Sequence, residues 1–203
     1  MIRILLADDQ HLIRGALKAL LQTESDLSVV AEASDGIEAI REVTKLTETP
    51  QSVDIALIDI DMPRMNGIDA IAQISQRCKC LVVTTFARPG YLKRALAAGA
   101  SGFLAKDTPP EQLAEAIRRI HNGLRVIDPA LAEASLFTAD SPLTDREADI
   151  ARMTLQGAQT SDIAAQLHIA KGTVRNHISS IIAKTDASNR IEAARIALDN
   201  GWL

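Results

Sequence analysis

A chain of 203 residues, 47% of them hydrophobic and with a net charge of −4, is long enough for one large or two small domains and apolar enough to give each a core. Aromatics are only 2%, so Leu, Ile, Val and Ala must do the packing. No apolar run approaches the roughly 18 to 20 residues of a membrane span, and Met1-Ile2-Arg3 leads straight into a strand with no signal peptide, so a cytoplasmic protein without membrane insertion is expected. Cys78 and Cys80 are too few for a zinc site, and two structural thiols are expected rather than a disulfide.

The chain opens on an apolar run, Ile2 to Ala7, that ends in the adjacent acids Asp8 and Asp9. Leu12, Ala16, Leu17, Leu20 and Leu21 then recur at helical spacing, and Leu27 to Ala33 reads as a second strand. Ile37, Ile40 and Val43 mark the next helix. VDIALIDIDMP follows, where Ile55 to Ile58 form a continuous apolar run, too short for a helix, that suits a parallel strand buried on both faces. That run stops at Asp59, Asp61 comes two residues later, and Pro63 bars the strand from continuing in a regular ladder. Ile68, Ile71 and Ile74 predict a helix, Leu81 to Val83 a strand ending in Thr84 and Thr85, and Leu92, Ala95 and Leu96 a further helix. Gly102 to Ala105 ends in Lys106, and Leu113, Ile117 and Ile120 continue as a helix opened by Pro109 and Pro110 with Asp107 or Thr108 as N-cap. Five strands alternating with five helices give a (βα)₅ unit, a doubly wound parallel sheet covered by helices on both faces.

In such a sheet, reactive groups collect outside the carboxyl ends of the strands. Asp8, Asp9, Asp59, Thr84 and Lys106 all stand there. Three clustered carboxylates repel one another unless a hard cation sits among them, and Mg²⁺ (or Mn²⁺) is held by one or two carboxylates with waters and phosphate oxygens. A neutralised Asp can attack a phosphoryl group while an ammonium and a hydroxyl bind the arriving oxygens.

On these positions, residues 1 to 120 resemble the receiver domain of bacterial two-component response regulators, whose fold is flavodoxin-like. The resemblance implies that Asp59 is the phospho-acceptor and that Asp8 and Asp9 form the acidic metal pair. It further makes Asp61 the donor of a backbone carbonyl to the metal, Thr84 the switch hydroxyl, Lys106 the phosphate-binding lysine and Phe103 the switch aromatic.

Residues 121 to 141 contain Gly123, Pro129 and Pro142 just beyond, with one apolar-periodic piece, Pro129 to Leu136, and are expected to be a linker with a short helix. Up to residue 140 there are 15 Lys/Arg against 19 Asp/Glu, and beyond it 7 against 7. Residues 142 to 203 have no strand signal and four helical ones. Thr144 with Glu147 forms the capping-box pattern, Thr160 or Ser161 caps a short helix, His168 to Ala170 make a turn, and Lys171 to Thr185 carry a longer helix with Val174, Ile178, Ile181 and Ile182 on one face. The last helix runs from Asn189 to Asn200. A short helix, a tight turn and a longer helix make a helix-turn-helix, whose second helix enters the major groove.

LTDRE and TSDIAAQLHIAKGTVRNHI resemble the LuxR-type DNA-binding domain. With the receiver, the chain is identified as a member of the NarL/FixJ response regulators. Lys171, Thr173, Val174, Arg175, Asn176, Ser179 and Lys184 are the candidate DNA-binding residues, with Arg suited to guanine, Asn to adenine, and Lys171 and Thr173 to phosphate at the helix N-terminus. The resemblance implies a sensor histidine kinase, promoter DNA and a second copy of the chain on phosphorylation as partners, with RNA polymerase as a further one. It implies no metabolic enzyme beyond the receiver's own phosphoryl transfer and slow dephosphorylation. The triplet Asp59-Ile60-Asp61 also occurs in haloacid-dehalogenase-type phosphatases, but that motif belongs on a first strand, and here it lies on the third with Met62-Pro63 after it.

Overall fold

The computed structural model of the chain describes residues 1–47, 49–85, 89–136 and 141–203. These divide into two compact units, the first made of Met1–Ala87 and Leu92–Glu133 and the second of Arg88–Tyr91 and Ala134–Leu203.

In the first unit, β1 (Ile2–Ala7), β2 (Leu27–Ala33), β3 (Ile55–Ile58), β4 (Lys79–Thr84), β5 (Gly102–Ala105) and β6 (Val126–Ile127) form one parallel sheet in the order β2-β1-β3-β4-β5-β6. Helices α1 (His11–Leu21), α2 (Gly36–Leu46), α3 (Gly67–Ile74), α4 (Pro89–Ala97) and α5 (Pro110–His121) follow the first five strands in turn. β3 is buried along its whole length, as its unalternating apolar run requires, and pairs Ile55–Ile58 with β1 on one side and β4 on the other. Ile4, Leu6, Leu57 and Leu81 pack on Leu113, Ile117 and Ile120 of α5 to make the core of one sheet face.

The sixth strand differs from the (βα)₅ reading. Val126 and Ile127 pair with Gly102 and Phe103, so part of the segment expected to be linker extends the sheet edge by two residues. Two apolar residues are too short a run to signal a strand. They are ordered by the neighbouring edge rather than by their own pattern. The expected short helix forms as α6 (Pro129–Leu136). Pro109 rather than Asp107 or Thr108 stands at the cap of α5, with Pro110 as its first residue, which lacks the N–H that would have needed a partner.

Helix α1 corrects the apolar stripe read from sequence. Leu12 is 84% exposed and Leu20 42%, whereas Arg14 is 6% exposed. A guanidinium is tolerated inside because both its ends are paired, with the Asp8 carbonyl and with Glu32.

The second unit is helical: α7 (Asp145–Leu155), α8 (Thr160–Gln166), α9 (Lys171–Thr185) and α10 (Arg190–Asp199). Thr144 caps α7 and Glu147 returns the bond to the Thr144 N–H, the expected capping box. Gln159, not Thr160 or Ser161, caps α8, paired reciprocally with Asp162. Ile150, Ile163, Val174, Ile181, Ala193 and Ala197 form this unit's core. Its turn between α8 and α9 passes through His168 in the left-handed region, at φ 53°. Among the described residues, no helix is long and apolar enough to cross a membrane.

Candidate functional site

The carboxyl ends of β1, β3, β4 and β5 bring Asp8, Asp59, Thr84 and Lys106 together. β1 and β3 are adjacent, with Ala7 beside Ile58, so the residues that follow each strand emerge side by side. The Asp59 N–H donates to the Ala7 carbonyl and the Lys106 N–H to the Thr84 carbonyl, which carries the parallel pairing one residue beyond each strand. Gly67 lies against the backbone at the end of β3. A Cβ there would lie 2.0 Å from the Asp59 carbonyl oxygen, so only glycine allows α3 to start so near the strand end.

The Lys106 ammonium sits between two carboxylates, 2.7 Å from Asp8 Oδ2 and 2.8 Å from Asp59 Oδ2. All three side chains are almost wholly enclosed. Asp59 Oδ1 accepts from the Ile60 N–H at 2.7 Å, and the buried Thr84 hydroxyl also hydrogen-bonds Asp59. Burial pushes the Asp59 carboxyl up from its ordinary value, and the Asp8 charge adds to this, against the Lys106 ammonium and the Thr84 hydroxyl. For Lys106 burial works in the opposite sense, yet its hydrogen bonds to Asp59 and Asp8 outweigh it and its pKa is raised. The amine is therefore a fixed cation.

Asp8, Asp9 and Asp59 each offer a carboxylate oxygen, and these oxygens lie within 4.8 Å of one another. A donor set of oxygens alone, with no His or Cys, fits a hard divalent cation. Asp9 and Asp61 are exposed, and Phe103 is fully buried on β5 beside Val82 and Ile127.

Arg14 escaped the sequence reading. Its Nη1 donates to the Asp8 carbonyl and its Nε to Glu32 Oε2 at 3.3 Å. Asp8 is thus fixed at every polar atom, since its N–H donates to the Ala33 carbonyl, its Oδ1 accepts from the Gln10 N–H, and Lys106 holds Oδ2. The available signal was a charge placed among apolar residues at helical spacing, with Glu32 as a charge partner on the next strand.

In the second unit, Lys171, Thr173, Arg175, Asn176 and Ser179 are exposed along α9. Ala170 at the N-cap supplies no side-chain acceptor for the first N–H groups of that helix. Val174 is fully buried in the core, which removes it from the DNA-facing set: at one position per 3.6-residue turn it falls on the inward stripe with Ile181. Lys184 is tied down as well. Its Nζ lies 2.6 Å from Glu147 Oε2, and Ser180 Oγ donates to the other Glu147 oxygen.

An acidic pocket with a buried lysine at the carboxyl edge of a parallel sheet, followed by a helix-turn-helix, defines a class, the response regulators that act on transcription. Residues 4–118 match the response regulator receiver domain and residues 141–197 the bacterial regulatory proteins of the luxR family. The chain belongs to this family, in its NarL/FixJ type. It is 42% identical to the transcriptional regulatory protein DesR of Bacillus subtilis over 203 residues, covering 100% of this chain and 99% of that one. Identity to the uncharacterized transcriptional regulatory protein YvfU of the same organism is also 42%, over the full length of both. Among solved structures, the response regulator ChrA of a heme-sensing two-component system is similar with a TM-score of 0.57 at 30% identity, over 100% of this chain and 98% of that one.

Proposed function

We propose that Asp59 is the phospho-acceptor of this regulator and that phosphorylation switches its binding to promoter DNA. The observation that carries this is the Asp59 carboxylate, held by Lys106 beside Asp8 and Asp9 at the convergent strand ends. An oxygen of Asp59 attacks phosphorus, and the bond from phosphorus to the imidazole nitrogen of a sensor histidine kinase breaks. Lys106 and Thr84 take the phosphoryl oxygens, the ammonium turning from carboxylate to phosphoryl group. Asp8, Asp9, Asp59 and the Asp61 carbonyl would hold Mg²⁺ or Mn²⁺, which when bound neutralises charge on the transferring group. Thr84 moving toward the new group leaves space beside β5 into which Phe103 turns.

Residues 1–120 act as receiver, 121–141 as linker and 142–203 as the DNA-binding domain of a cytoplasmic protein. The receiver pairs with a second copy through α1 and α5, where Leu12 and Leu20 are exposed and a groove of about 160 Å³ is lined by Leu20, Leu21, Leu113 and Ala114. Paired α9 helices then bind two half-sites, with Arg175 and Asn176 at base edges and Lys171, Thr173 and Ser179 at the backbone or its neighbours. Contact with RNA polymerase follows from binding at a promoter. Acetyl phosphate with Mg²⁺, read on a Phos-tag gel, tests the first step: a slow-migrating band is expected, and its absence at every Mg²⁺ concentration would refute it.

A further inference from the structure

Arg64 is a bulky residue held in the left-handed region, at φ 64°, where L side chains are disfavoured and glycine is the usual occupant. Such a position persists only where the surroundings hold it, and it occurs most at functional sites. Arg64 lies in the β3–α3 loop, five residues after Asp59 and three after Asp61. Its side chain, itself 60% exposed, reaches across to Asp35, whose carboxylate is 1% exposed. One Asp35 oxygen caps α2 by accepting from the Glu38 N–H at 2.9 Å, and the other takes the Arg64 guanidinium. Beside this pair the two turns meet backbone to backbone. The Gly36 N–H donates to the Met65 carbonyl at 3.1 Å, and a Cβ on Gly36 would stand 2.8 Å from that oxygen.

We propose that Arg64 is a positioning residue: its ion pair with the buried Asp35 clamps the β3–α3 loop to the start of α2 and so fixes the loop that presents the Asp61 carbonyl to the divalent cation. Between Ile60 and Gly67 the loop has short-range backbone ties, from the Met62 N–H to the Ile60 carbonyl, from the Met65 N–H to the Pro63 carbonyl and from the Gly67 N–H to the Ile60 carbonyl. These set local turns. The Asp35 pair and the Gly36–Met65 bond tie the loop to a separate element. A loop clamped before the cation arrives loses less freedom on binding it, so the clamp favours affinity.

The inference rests on the metal reading of the pocket, and three accounts of Arg64 differ in sign. If the pair serves only the α2 cap, Arg64→Gly alters stability and leaves cation affinity unchanged. If the guanidinium acts only as a charge, its removal tightens binding of a dication. Positioning alone predicts weaker binding. Glycine suits φ 64°, so this variant keeps the backbone, and Asp35→Asn keeps the helix cap.

The experiment is calorimetric titration of Mg²⁺ into the full-length chain and into Arg64→Gly, Asp35→Asn and the double variant, with folding checked by urea unfolding without Mg²⁺. Each single variant is expected to bind Mg²⁺ roughly tenfold more weakly, as when a group orienting a metal ligand is lost, and the double no more weakly than either. Arg64→Gly binding as tightly as the native chain, or losses that multiply in the double variant, would overturn the clamp while the metal site stands. A native chain that binds no Mg²⁺ would overturn both.

Discussion

Asp59 has two competing claims on it: burial drives its carboxyl toward the protonated form, and Lys106 and Thr84 favour the ionised form that the proposed nucleophile needs. Replacing it with Asn removes the nucleophile but keeps its shape, so Asp59→Asn should abolish labelling by acetyl phosphate while leaving the urea midpoint close to native. Persistent labelling would place the acceptor elsewhere. At this scale the sequence was most legible for Asp8, Asp9, Asp59, Thr84 and Lys106, because each terminates an apolar run and parallel strands align their ends. Arg14 and Arg64 were not legible. Their roles depend on partners, Glu32 and Asp35, brought near by the β1–β2 crossover and by the loop after β3, and no local pattern announces a long-range pair. Val174 was misplaced for a related reason, since residues adjacent along a helix differ by about 100° in direction and a neighbour of Arg175 can face the core.

The helices of the second unit carry their own test. Glu147 is buried, yet the bonds from Lys184, Ser180 and Thr144 overcome the cost of burial and hold its carboxyl at about 2, against 4.5 for a free Glu. A carboxyl lowered on folding contributes stability that is complete above the unfolded value and is lost as pH falls through the folded one. The second unit should therefore lose stability between about pH 5 and pH 2, a window set by that depressed carboxyl. Fluorescence of Trp202, the sole tryptophan, packs against this core and reports the transition. Glu147→Ala should cost about 2 kcal/mol, since it takes away the carboxylate that pairs with Lys184 and Ser180 and the return bond of the α7 capping box, while Thr144 still caps the helix. An unchanged urea midpoint would show that the network is not a stabilising element. On α9 itself, Arg175→Ala should cost about 1 to 3 kcal/mol of DNA binding and relax sequence preference, whereas Lys171→Ala should weaken all sequences alike and lower the salt slope by about one. Anisotropy titrations against matched and scrambled promoter DNA at several salt concentrations separate the two.

At the scale of the molecule, the alternation of apolar runs made the sheet and the four-helix tail legible, including the change of pattern between them. The sixth strand was missed because its order comes from the edge of β5, and the α1 face was misread because Leu12 and Leu20 look like core until Arg14 is seen to fill the inward position. Those exposed leucines form part of the proposed pairing face. A Leu12→Glu, Leu20→Glu double variant should leave phosphorylation intact but keep the phosphorylated chain monomeric in sedimentation, and a variant that still dimerises would move the interface to another face. The tail has as many acidic as basic residues, 7 of each, so one tail has little non-specific attraction for DNA and tight occupancy calls for two. The most direct measurement is promoter DNA binding by the full-length chain with and without acetyl phosphate and Mg²⁺, alongside Asp59→Asn. The native chain should bind more tightly once phosphorylated, with Asp59→Asn unaffected by the treatment. Equal affinity with and without phosphoryl donor in the native chain, or the same tightening in Asp59→Asn, would contradict the account.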